Sequence, residues 1–472
     1  MSGRRASASG DTYSPQRRTA LLLTGTGTAG AYHAGVLRAL HEAGVKLDIA
    51  AGRGVGVIGA LFAAVDGAQS LWAETGFWRG GFVPRLYGWR STLRVLAGAT
   101  ALAAVAVALP VAVVALGLVV YPIDFVLEMM GLSSGGLVSW YLGVADAAFA
   151  PTGLPTWLPR LAVLILGAAV GLACIIAARH SKSRHTRGAW WWRIVEAPLS
   201  AEPAIAHAWG AIWDLVRGAA QLRLPSHTDL ARRYTELLAD NLGQPGFREL
   251  VIVAHDVDAS RDLVFALVAD ERRRDLVRRP LVQDIDARRA EVFDLAGADR
   301  DHLADAVAAA LTVPLATGLH EVQFAADSYW RGETHRLCDR PASLERLLQE
   351  LAALNVEQII LVSAAPDSAG PHALTARRLD ARGRIGEYVR SSEVSAVRDA
   401  LARRRADEPR VFLIRPAHNP VGAFDFQGGF DDRSDRARGL TELMNCGYED
   451  AYRQFIEPIV GASGDRVGRS AY

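Results

Sequence analysis

The sequence predicts an α/β fold with a mostly parallel central sheet, interrupted by an inserted transmembrane helical hairpin. Three observations lead there. Toward both ends of the chain, short apolar runs bounded by turn residues alternate with helical periods, the pattern of a sheet covered by helices on both faces. Between them lie two long stretches without a charged residue. The mean hydropathy of +0.12 is high for a soluble chain of 472 residues.

Composition removes other classes. With 50% hydrophobic and 22% charged residues the chain is neither disordered nor fibrous. Against 51 acidic residues stand 52 basic ones, a net charge of +1, so no global field draws it to nucleic acid and no such partner is expected. Its three cysteines, Cys174, Cys338 and Cys446, form no CxxC. That argues against a disulfide framework or a zinc module and suits a reducing compartment. No metal or cofactor is expected. Lysine occurs only at positions 46 and 182, which reads as the codon usage of a GC-rich, bacterial genome.

Residues 1–18, MSGRRASASGDTYSPQRR, are polar and basic and lack the apolar core of a secretion signal, so they read as a disordered tail. From there the α/β domain opens, with a first part over 19–78. Candidate strands are Thr19–Thr24, Lys46–Ala51, Glu249–Val257, Glu357–Val362 and Arg410–Ile414. Candidate helices are Ala29–Ala43, Val55–Val65, Asp299–Leu311, Ser343–Leu354, Ser392–Arg405 and Leu440–Phe455. The second part of the domain spans 241–465. The basic stretch Arg272–Pro280 reads as a solvated face or a lipid-phosphate patch.

Residues 79–240 form the membrane insertion. No charge occurs between Arg94 and Asp124, a run longer than the ~20 residues that cross a bilayer's hydrocarbon. A second run, Leu161–Ala178, is close to the minimum. Transmembrane helices are therefore expected near 95–121 and 161–178. Arg79, Arg85, Arg90 and Arg94 precede the first, and Arg179, Lys182, Arg184, Arg187 and Arg193 follow the second. The connection carries Asp124, Glu128 and Asp146. The positive-inside rule then puts both outer ends in the cytoplasm, which suggests the bacterial inner membrane with a cytoplasmic globular domain. Ten of the eleven tryptophans fall between Trp72 and Trp213, including Trp190, Trp191 and Trp192, which suggests an interfacial belt. The segment holding Trp209 and Trp213 reads either as an amphipathic helix on the membrane surface or as an ordinary packed helix.

Two glycine clusters carry the chemistry. The first, LLLTGTGTAGAYHAGVLRAL, runs from strand to helix through Gly25, Thr26, Gly27, Thr28, Ala29 and Gly30. Glycines there let backbone N–H groups converge on an anion. It is also a GxGxxG, but the acid that would follow in a dinucleotide fold, Asp48, comes early in its strand rather than at the end. The second cluster, KLDIAAGRGVGVIGALFAA, holds Gly52, Arg53, Gly54, Val55 and Gly56. This is the form of the nucleophile elbow G-x-S-x-G, with glycine at the central position. There is no hydroxyl.

Together the clusters resemble those of the patatin-like phospholipases, a three-layer α/β sandwich family. In that family a GGGxRG-like loop makes the oxyanion hole, a GxSxG serine is the nucleophile, and an aspartate in a later D-G-[GA] motif is the base. VIVAHDVDASRDLVFALV, AVAAALTVPLATGLHEVQFAADSYW, LNVEQIILVS and the terminal VFLIRPAHNP…GYEDAYRQF continue the resemblance over roughly 19–75 and 245–460. It implies that Gly25, Thr26, Gly27, Thr28 and Gly30 form the oxyanion loop, that Gly52, Arg53 and Gly56 surround the elbow, and that Asp327 is the dyad base. The departures are that Gly54 replaces the serine, Ala29 replaces the loop's basic residue and Ser328 follows Asp327 instead of glycine. Asp66-Gly67-Ala68 also spells the base motif, but closes the elbow helix too early in the chain.

Covalent acyl transfer requires an activated nucleophile. The expectation is therefore a membrane-anchored, non-catalytic relative that binds membrane lipid or a protein partner. A second reading keeps a lipid acyl hydrolase with an unusual nucleophile, such as Thr26, Thr28 or water activated by Asp327. In a third, the GxGxxG loop binds a nucleotide. His33 and His255 are near the loop in sequence only. Arg53 reads as solvent-facing or as a ligand for lipid phosphate.

Overall fold

The computed structural model describes residues 13–133, 135–150, 152, 154–180, 197–218, 223–278, 285–367, 380–405, 407–431 and 433–460. The chain divides into two compact units, one of 1–88 with 199–472 and one of 89–198.

The first unit is mixed α/β. Its sheet contains β1 (Thr19–Thr24), β2 (Ile49–Gly52), β3 (Glu249–Asp256), β4 (Arg261–Leu267), β5 (Val292–Asp294), β6 (His320–Gln323), β7 (Thr334–Cys338), β8 (Gln358–Ser363) and β9 (Arg410–Ile414). The order is β5-β4-β3-β2-β1-β8-β9, parallel from β3 to β9 and again at β4–β5. Strand β1 is central and buried on both faces, so it is apolar almost throughout. Leu21 and Leu23 face a core shared with helices α1 (Ala29–Glu42) and α2 (Gly56–Ala64). Ala20 and Leu22 face a second core filled by Leu347 and Leu351 of the Ser343–Ala353 helix and by Val397 and Ala400 of the Ala381–Ala402 helix. Helices thus cover both faces.

The strand expected at Glu249–Val257 is the first arm of a hairpin: β3 and β4 pair antiparallel around Asp256–Arg261. The next deviation places the site. Strand β2 accompanies β3 only as far as Gly52 opposite Ile252. Beyond it, β7 pairs antiparallel with β3, Cys338 opposite His255 and Leu337 opposite Asp256. The chain leaving β7 at Asp339 therefore emerges beside the turn that ends β2.

Residues 79–88 and 199–240, assigned from sequence to the membrane insertion, belong to the α/β unit instead. The Glu202–Arg217 helix is a packed helix, with Trp209, Ile212 and Trp213 in the main core. Trp78 is buried there too. Much of the expected tryptophan belt is core, while Trp190, Trp191 and Trp192 lie outside the described residues.

Among the described residues the second unit has three helices, Ser91–Met129, Leu137–Phe149 and Leu154–His180. Two contain stretches long and apolar enough to cross a membrane. At about 1.5 Å per residue the first is about 58 Å long, roughly twice the hydrocarbon thickness of a bilayer. The return path is broken. Tyr141 of the short helix packs on Tyr121 and donates to the Val113 carbonyl, whereas Ala162 of the last helix meets Ala103 and Ala106. Outside these small contacts the surface is apolar and open, with Val105, Leu118 and Val163 each more than half exposed.

The two kinds of tryptophan separate in a mutational test. Trp209→Ala, emptying a fully buried site, lowers stability by about 3–5 kcal/mol in urea unfolding of the full chain in detergent. Trp157→Ala, at a 65% exposed position, leaves the unfolding midpoint unchanged.

Candidate functional site

Both glycine clusters lie at the carboxyl ends of adjacent parallel strands, Gly25–Thr28 after β1 and Arg53–Val55 after β2. This is where open α/β sheets bind ligands. The structure brings together Gly25, Thr26, Gly27, Thr28, Gly52, Arg53, Gly54 and Gly56, and adds two carboxylates the sequence reading lacked.

Arg53 is fully buried, so it neither faces solvent nor reaches a lipid phosphate. Its Nη1 donates to both oxygens of Asp339, at 3.0 and 3.1 Å, and its Nη2 donates to Glu393 of the Ala381–Ala402 helix. Both carboxylates are buried. Glu393 also accepts hydrogen bonds from the hydroxyls of Thr26 (3.2 Å) and Thr24 (3.5 Å). Burial opposes the charge on Arg53, but the two carboxylates outweigh it and raise its pKa above the ordinary value. One guanidinium cannot fully compensate two buried carboxylates. Burial pushes Asp339 up to about 6, a rise Arg53 limits and the Glu393 charge adds to.

Gly54 sits at φ +56 between these groups. A Cβ at this position would overlap the Gly25 carbonyl oxygen and lie 2.9 Å from Asp339 Oδ2. The Gly25 carbonyl is itself held by the Val55 N–H at 2.9 Å. Where a serine would project, loop carbonyl and carboxylate already meet.

The loop after β1 is covered as well. Ala423 O accepts the Thr28 N–H at 2.9 Å, and Gly422 O accepts the Thr28 hydroxyl at 2.8 Å. A Cβ on Gly27 would overlap Ala423 O, so this close approach requires glycine. Between the loop, Ser363, Arg390 and Asn419 remains a cavity of about 40 Å³. A small-molecule site usually takes roughly 300–1,000 Å³. The space between the loop and these residues is well below that range.

Other candidates have partners of their own. Thr26 donates its hydroxyl to the Glu393 carboxylate and Thr28 donates its own to the Gly422 carbonyl. His33 Nε2 donates to Thr24 O at 3.1 Å, and complete burial lowers its pKa to about 4, keeping the ring neutral. Gly30 makes room for the Trp78 ring. Asp48 accepts the Thr19 N–H at the opposite end of β1 and pairs with Lys46. His255 pairs with Asp262, and Asp66 closes α2 against Arg248. In the basic stretch, Arg272 is bound by Glu249 and Arg273 by Asp294.

Asp327 is not in the cluster. It is exposed in the turn joining β6 to β7, and the carboxylate beside Gly54 is Asp339, twelve positions later. The shift has a structural cause: AADSYW is a hairpin tip, and the chain returns to the sheet only along β7. The signal that could have found Asp339 is its place directly after THRLC, a short run bounded by Gly332 and Pro341. Glu393 left no comparable signal, because its role depends on which turn of a long helix passes the loop.

No family model matches the chain, and no curated protein matches it. Among solved structures it is similar to VipD from Legionella pneumophila, with 11% identity over 95% of this chain and 69% of that one and a TM-score of 0.28. A likeness that loose does not bear on the site.

Three outcomes follow from the cluster. Arg53→Ala strands two buried carboxylates and lowers stability by about 3–5 kcal/mol in chemical denaturation, and adding Asp339→Asn with Glu393→Gln restores part of it. Gly54→Ser is less stable than the natural chain by at least about 1–3 kcal/mol, from the left-handed backbone alone. A serine variant that melts higher contradicts this crowding.

The third outcome concerns pH. The folded pKa of Asp339 is raised to about 6, above the unfolded value. Between about pH 4 and 6 the folded state therefore holds more protons than the unfolded one, and stability falls as pH rises. The melting temperature of the natural chain, measured against Asp339→Asn, declines across that window and levels off above it.

Proposed function

We propose that this chain is a membrane-anchored protein of patatin-like, lipid acyl hydrolase ancestry whose catalytic centre has become a structural one. The observation that carries the reading is Gly54 at the elbow, with its neighbour Arg53 buried between Asp339 and Glu393. In the family's chemistry a serine at this position attacks an ester and an aspartate takes its proton. Here Asp339 occupies the base position, followed by Arg340 where the family has glycine. The carboxylate is committed to Arg53. The loop that would stabilise an oxyanion is capped by the carbonyls of Gly422 and Ala423. Nucleophile, free base and open hole are each replaced by an internal contact.

The two apolar helices support an anchor in the membrane. Arginine-rich flanks on their outer ends and acidic residues between them favour a cytoplasmic α/β unit, in a bacterial inner membrane. The function that remains is binding, to membrane lipid or to a protein assembled at the membrane.

Purified full chain in detergent tests the inactive reading on short-chain acyl esters and on phospholipid. The expected rate equals that of Asp339→Asn, and no fluorophosphonate label attaches. Turnover that disappears in Asp339→Asn overturns the reading. For the anchor, the expected result is retention in the membrane pellet after alkaline carbonate extraction; release into the supernatant refutes it.

A further inference from the structure

The α/β unit carries a second concavity, away from the glycine loops. It is an open groove of about 370 Å³ whose walls include Trp78, Arg79, Val83, Pro84, Phe426 and Leu440. The floor is apolar because Trp78, Val83 and Phe426, which line it, belong to the main core and are nearly fully buried. Its lining has one charged side chain, Arg79, and no acidic one. Arg79 is exposed, as is Arg85 six residues on, and neither forms an ion pair among the described residues. Phe82 between them is also exposed.

From this we infer that the groove holds one anionic phospholipid, its phosphate on Arg79 and Arg85 and the start of an acyl chain on the apolar floor. Three features fit that occupant. The volume lies within the range of small-molecule sites and suits a headgroup with a few methylenes, but not a whole lipid. The unpaired guanidiniums match a phosphodiester in charge and in hydrogen-bond geometry. Residues 78–88 also run directly into the long apolar Ser91–Met129 helix, so the arginines precede that helix by a few residues, as polybasic segments that bind anionic leaflets do. The inference rests on the anchor proposed above.

The test uses the full chain in nanodiscs containing phosphatidylglycerol with a diazirine near its glycerol backbone, or the same probe built on phosphatidylcholine. After illumination, adducts are mapped by peptide mass spectrometry. The expected result is phosphatidylglycerol adducts on 78–84 and 426–441. They fall several-fold with phosphatidylcholine and several-fold in the Arg79→Gln/Arg85→Gln variant, while adducts on 91–129 and 154–180 stay constant. Groove adducts that are absent, or indifferent to headgroup and to the double substitution, overturn the site while the helix adducts leave the anchor standing. Loss of the helix adducts as well overturns the anchor and the site with it.

Discussion

A guanidinium with no exposed surface is the constraint on which the rest of this site depends. Arg53 cannot be buried uncharged, and a buried charge is tolerated only when opposite charges and hydrogen bonds surround it. Meeting that requirement brings three remote segments to one point: the turn after β2, the end of β7 at Asp339, and the middle of the Ala381–Ala402 helix at Glu393. Glu393 in turn holds Thr24 and Thr26 of the neighbouring loop. Packing around Arg53 leaves no room for a Cβ at the next residue. Glycine at 54 is therefore part of the same arrangement as the buried arginine, rather than an isolated loss.

The same linkage bears on a hydroxyl placed at 54, whose would-be neighbours are already engaged. A nucleophile needs a base free to accept its proton and donors aimed at the charge that develops. Asp339 is held by Arg53, and Thr28 N–H by Ala423 O. An arrangement of this kind is stable because each group is satisfied by another within the protein. The donors and lone pairs named here are engaged within the protein.

Much of the fold was legible in sequence wherever local pattern and tertiary role agree. Strand β1 is apolar because it is central, and the glycine clusters mark tight turns, so Thr19–Thr24 and both loops were placed correctly. The hairpins were not. β6 and β7 are short and largely polar, HEVQ and THRLC, and neither their pairing with each other nor that of β7 with β3 is encoded locally. With β7 missed, the expected base stayed at Asp327, whereas the carboxylate beside Gly54 is Asp339. Tryptophan misled in a different way. Its composition along the chain suggested an interface, but an indole serves equally as core, as Trp209 does. Arg53 resisted reading altogether, since nothing adjacent in sequence announces that its partners lie 286 and 340 residues away.

The second unit follows the opposite logic. In the α/β unit the large apolar side chains are enclosed by two helical layers, whereas the long helix leaves Val105, Val111, Leu118 and Phe125 open. Its contacts with the returning helix use alanines, which bring backbones close and bury little area. Association of that type is effective in lipid, where the surrounding medium is as apolar as the side chains. In water, the same residues would form a patch far larger than a soluble protein exposes. The small-residue seam and the open flanks thus occur in the same helices, two of which are long and apolar enough to cross a membrane.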